Sequence, residues 1–266
     1  MTTPSANSSR IGALRIGLAA VVLAIVTAGA FGLWYIFLRP SGPAAVADAS
    51  LVVPSRAPAT SSAGSSAAAT SSGSSTSGTL SGGIDGTWNV DTSIGSFSDF
   101  SDSFVGYRVQ EQLASVGGNT AVGRTPAVSG SLTIAGTKVT AVTIQADLTG
   151  LKSDDNRRDG QLSHQGLETS SYPTATFSLS SPIDLGSVPA DGAEVSVTAT
   201  GKLTLHGQTK DVQIPLKAKL SGNTIVVTGS LEIAFADYGI SKPNSFAVLS
   251  IADTGTLELQ LFFTKA

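Results

Sequence analysis

The chain has 266 residues and no cysteine. Disulfides, a thiol nucleophile and thiolate-held zinc or iron–sulfur sites are therefore excluded. Export is not excluded, because a domain with a large enough core needs no disulfide. Histidine occurs only as His164 and His206. They stand far apart in sequence, in no metal-ligand spacing, so no metal site is expected. Asp154-Asp155-Asn156 with Asp159 and Gly160 lacks the alternating acidic spacing and distal glutamate of a calcium loop. The β-like half has no G-x-S-x-G elbow and no recognisable Ser-His-Asp arrangement. The chain is expected to be neither an enzyme nor a cofactor protein.

Positive charge is also scarce. Arg10, Arg15, Arg39 and Arg56 precede Leu80, as does Asp48, which leaves 12 basic against 18 acidic residues from Leu80 onward. Such a domain has no electrostatic footprint for nucleic acid, and anionic headgroups would repel it mildly.

Between Ile16 and Leu38 charge is missing altogether. As a helix at about 1.5 Å per residue the run extends roughly 35 Å, and a bilayer core is about 30 Å thick. Trp34 and Tyr35 stand near its far end, where amphipathic rings favour the interface. Arg10 and Arg15 before it, against Arg39 after it, favour an inside N-terminus. Residues 1–15 are read as a short cytoplasmic N-terminus and 16–38 as a transmembrane helix. Ala45-Val46-Ala47 supplies the small residues of a cleavage site, so a secreted form after signal removal is the competing expectation. Both place the rest of the chain outside the cytoplasm.

Residues 39–83 are rich in Ser, Ala, Thr and Gly and have no apolar periodicity. Ordering them costs entropy that no core would offset, so they are expected to be a flexible spacer of roughly 35 Å r.m.s. span. Their Ser/Thr content also suits O-glycosylation.

What the chain does have, over 84–266, is strict alternation. Val142, Ile144, Ala146 and Leu148 alternate with Thr143, Gln145 and Asp147. The same pattern runs through Val195 to Leu205, Val212 to Leu220, Ile225 to Phe235 and Leu257 to Phe263. Turn residues at Gly136, Gly192, Gly207 and Gly222 separate the runs. Period-2 strands joined by tight turns predict an all-β domain of about eight antiparallel strands, a barrel or a tightly closed sandwich. One short helical turn is expected near Asp159 to Thr169, with Leu162 and Leu167 facing inward. Gly130, Gly201 and Gly229 lie on the apolar stripes, where glycine marks either curvature or a close approach to the backbone.

The alternation alone does not separate an open tunnel from an interdigitated core. Here the chain resembles a known family. Trp88-Asn89-Val90-Asp91, Arg158-Asp159 with Leu162, Tyr172-Pro173 before Phe177, Gly201-Lys202-Leu203-Thr204-Leu205-His206-Gly207 and Tyr238-Gly239-Ile240 are similar to YceI-like motifs, in the right order from about Gly86 to Phe263. The resemblance implies an eight-stranded antiparallel, lipocalin-like barrel, preceded here by the transmembrane helix and the disordered linker. It also implies export to the cell envelope and an enclosed lipid or isoprenoid chain. The lining would be Phe104, Tyr107, Leu132, Ile134, Val142, Ile144, Phe177, Leu179, Leu203, Leu205, Ile214, Leu216, Val227, Leu231, Leu259 and Leu261. Arg158, Asp159 and His206 are headgroup or structural candidates. Many members carry a histidine in the strand matching Phe104–Val109, and another where this chain has Gln161. Contacts made through those histidines do not carry over. The rival expectation is an envelope protein–protein interaction module that uses the barrel as a scaffold, its protein partner unknown.

Overall fold

The computed structural model describes residues 43–46, 83–114, 117–244 and 248–266. The chain divides after Ser41, and the unit from Gly42 to Ala266 is described below. The expected spanning helix, and the linker apart from residues 43–46 and 83, lie outside the described residues. Among the described residues no helix is long and apolar enough to cross a membrane.

Thirteen strands are described. They are β1 (Gly86–Val90), β2 (Phe104–Leu113), β3 (Gly117–Thr125), β4 (Val128–Ala135), β5 (Lys138–Asp147), β6 (Lys152–Ser153) and β7 (Thr174–Leu179). There follow β8 (Ile183–Asp184), β9 (Glu194–Leu205), β10 (Gln208–Ser221), β11 (Thr224–Ala234), β12 (Val248–Ile251) and β13 (Thr254–Lys265). Helix α1 (Asn156–Gln161) runs into a π-helical turn, Leu162–Gly166.

Eight strands close on themselves in the order β1-β4-β5-β7-β9-β10-β11-β13, and β13 pairs back onto β1. Every pairing is antiparallel. β13 is long enough to serve two partners along one edge. Its C-terminal part pairs with β1 (Val90↔Phe263), and its N-terminal part pairs with β2 (Tyr107↔Leu257). β2 carries β3, and β3 carries β6, so a flap of sheet extends from the barrel wall.

Local chemistry sets the register. At the β9–β10 turn His206 and Gly207 have φ of 50° and 71°. Two consecutive positive φ values match the twist of a two-residue hairpin. Asp85 and Asp191 accept hydrogen bonds from the Gly136 and Gly222 amides, which ties two further turns to neighbouring segments.

The inner face holds two packed clusters. One contains Trp88, Val128, Leu132, Ile134, Ile225, Leu261 and Phe263. Trp88 is fully buried and donates its indole N–H to the Ile84 carbonyl over 2.9 Å, so its polar edge is satisfied. The other contains Ala146, Leu148, Leu203, Leu205, Ile233 and Tyr238.

The outer face has its own dry patch. The 91–103 loop folds over β13 and β11 and covers Ile94, Val226 and Phe262. Gln260 donates to the Phe100 and Asp102 carbonyls, and the Ser103 hydroxyl receives the Phe262 amide proton at 3.0 Å. Phe104 belongs here, which corrects the expectation that it lines the barrel. It pairs with Gln260 on the outer side of β13, while Tyr107 pairs with Leu257 on the inner side. Residues three apart in a regular strand point to opposite faces, so Phe104 and Tyr107 cannot share one wall.

Candidate functional site

Fourteen of the other fifteen expected lining residues stand at inward positions of the eight barrel strands, and Tyr107 stands on the same face of the adjoining β2. They divide by burial. Leu132, Ile134, Leu203, Leu205, Ile214 and Leu261 are buried. Tyr107, Val142, Ile144, Phe177, Leu179, Leu216, Val227, Leu231 and Leu259 are only half-buried although they face inward. The interior is therefore not fully interdigitated along its length. An apolar wall with accessible surface is what an apolar chain would cover.

The glycines on the stripes explain part of this. A Cβ on Gly201 would stand 2.5 Å from the Phe177 ring, one on Gly229 2.4 Å from Leu216, and one on Gly123 2.4 Å from Tyr107. In each case a large inner-wall side chain lies over the bare backbone of the adjacent strand. It occupies volume that a side chain on that strand would have filled. Backbone also crowds two of these sites: a Cβ on Gly201 would stand 2.4 Å from the Ser178 carbonyl, and one on Gly130, where φ is 144°, 2.1 Å from the Thr143 carbonyl.

A polar cluster closes off Tyr107. Arg158 on α1 reaches across to Glu111 on β2 at 2.7 Å and also binds Asp154. Asn119 donates to the same Glu111 oxygen at 2.6 Å. Burial opposes the Arg158 charge, but Glu111 and Asp154 outweigh it and hold the guanidinium above the ordinary arginine value. The Tyr107 hydroxyl is buried without a hydrogen-bond partner, and burial raises its pKa well above the usual phenol range.

Asp159 accepts from the Ser153 amide and hydroxyl through Oδ1. Its other oxygen is buried and unpartnered. The α1 N-cap is Asp155, which accepts from the Arg157 amide at 2.8 Å. Asp159 sits inside the first turn and points back to β6 instead. Arg158 ties α1 to β2 through Glu111.

His206 has both ring nitrogens engaged. Nδ1 lies 3.0 Å from the Tyr238 carbonyl and Nε2 3.0 Å from Glu168, with the Tyr172 ring tilted against it at a centroid distance of 4.4 Å. It ties the β9–β10 turn to two other segments. Beside α1 lies a cavity of about 430 Å³, lined by Leu148, Leu151, Leu162 and Leu167 with Asp159, His164 and Thr169. Leu148, Leu151 and Leu167 also belong to the second packed cluster, so the cavity adjoins that end of the barrel. Among the described residues no group of three or more His, Asp and Glu side chains is arranged to hold a metal.

A second charged cluster escaped the sequence reading. On the outer face Glu258 binds Arg108 and Arg124, at 2.5 and 3.2 Å. Arg124 also stacks over Phe104 and Phe100, at 4.2 and 4.7 Å from the ring centroids. Burial lowers the Arg124 pKa against the pull of Glu258. Nearby, burial pushes Asp102 up to about 6. In the sequence these charges fall on the polar side of regular alternations, where nothing separates a covered face from a solvated one.

A YceI-like domain model matches residues 88–263. No curated protein matches the chain. Among solved structures, a polyisoprenoid binding domain from Saccharophagus degradans implicated in plant cell wall breakdown is 22% identical with a TM-score of 0.52. The match covers 68% of this chain and 99% of that one. BcnA of Burkholderia cenocepacia is 23% identical with a TM-score of 0.47, over 60% of this chain and 95% of that one. The Campylobacter jejuni YceI protein is 14% identical with a TM-score of 0.46, over 54% and 84%.

Proposed function

The chain belongs to the YceI-like family, and from that premise we propose that it is an extracytoplasmic carrier holding one apolar lipid or isoprenoid chain inside the barrel. The half-buried inner wall formed by Phe177, Leu179, Leu216, Val227 and Leu231 carries this reading. Each methylene covered by such a wall contributes about 0.8 kcal/mol before binding costs. The name of the Saccharophagus degradans neighbour fits the same ligand class. The reading includes residues 16–38 as a membrane anchor with the N-terminus inside and the barrel outside, cleavage after a signal segment being the alternative. The ligand enters by burial of hydrocarbon, with no catalytic step.

Native mass spectrometry of the purified full chain is expected to show a bound lipid that organic solvent removes. A chain that purifies without lipid, and takes up none from vesicles containing polyprenyl lipids, would overturn the proposal.

A further inference from the structure

Pro43–Val46 lies outside the matched domain, yet the structure places it against the barrel. The Ala44 carbonyl accepts from Arg124 at 2.9 Å, and the Pro43 carbonyl accepts from Arg108. The Val46 amide donates to Glu258 at 3.2 Å. The Val46 side chain is 2% exposed. All three polar partners are the charged side chains of the outer-face cluster, and all three belong to the family domain.

The charges suit this occupant. Two guanidinium groups share one carboxylate, so the cluster carries an excess positive charge in a covered setting. Two backbone carbonyls supply acceptors to the arginines, and one amide supplies a donor to the acid. Backbone groups could come from any peptide. The buried Val46 side chain and covalent attachment select this one, since an intramolecular segment acts at millimolar effective concentration.

We propose that Arg108, Arg124 and Glu258 form a docking site for the chain's own Pro43–Val46 segment.

The cysteine-free chain allows the test on the full-length protein in lipid vesicles. Spin labels at Ala44→Cys and Ser178→Cys are expected to give one narrow distance distribution. Val46→Asp, which leaves the barrel's own core untouched, is expected to broaden it. A broad distribution in the parent chain, or no change in Val46→Asp, overturns the docking.

Discussion

On the inner wall Phe177, Leu216 and Leu231 keep part of their surface accessible. On the outer face the Arg124 and Glu258 side chains are 4% and 1% exposed. Part of the apolar wall thus keeps accessible surface while the charged patch is covered, the reverse of what residue polarity alone would assign. Burial here follows what lies over each face. The 91–103 loop and residues 43–46 cover the outer patch, while Phe177, Leu216 and Tyr107 lie back over glycines on the inner wall. A desolvated charge cluster needs every partner, whereas an accessible apolar wall tolerates change and can exchange its cover.

The largest effect should come from removing the shared carboxylate. Glu258→Ala leaves Arg108 and Arg124 without their acid, and breaking such a buried group costs about 3–5 kcal/mol in denaturant unfolding. In the packed end of the inner wall, Leu203→Ala is expected to cost about 2–5 kcal/mol. In the accessible stretch, Leu216→Trp should cost less than the roughly 1–3 kcal/mol of overpacking a filled core. It should nonetheless reduce lipid uptake at least tenfold by filling the lumen. Equal stability losses at both positions would mean that the inner wall is packed throughout.

Asp102 sharpens the outer half of the comparison. Its folded pKa of about 6 lies above the ordinary value of 3.8. The fold therefore binds the proton more tightly than the unfolded chain does. The resulting destabilisation is fully present above about pH 6 and fades as pH falls toward 4. Asp102→Asn should stabilise the domain by about 1–3 kcal/mol at pH 7.5, with no gain near pH 3.5, by thermal unfolding across pH. The smallest effect is expected at Lys202–Asp211, where the side chains are 58% and 77% exposed. Lys202→Ala should change stability by less than about 0.5 kcal/mol.

Several features were legible before any coordinates. Period-2 alternation showed which residues of β4, β5, β9, β10, β11 and β13 share a face, because a strand's two faces are set by backbone geometry alone. The same parity rule, applied to Phe104 and Tyr107, separates them without a structure. Turn glycines marked the hairpins because only they adopt positive φ at little cost. The docking of residues 43–46 was not legible. It is made by two carbonyls and an amide, groups every segment carries, so Pro43-Ala44-Ala45-Val46 bears no signature of it.

By itself, then, the sequence determined the all-β class, the two-faced strands, the turns and the family motifs, since each depends on local backbone preference and spacing. Tertiary structure alone decided which charges became buried, which glycines lie under a neighbour's ring, and which inner positions stay accessible. Those outcomes depend on strand register and on which distant segment covers which face, and both are set by contacts between residues far apart in the chain.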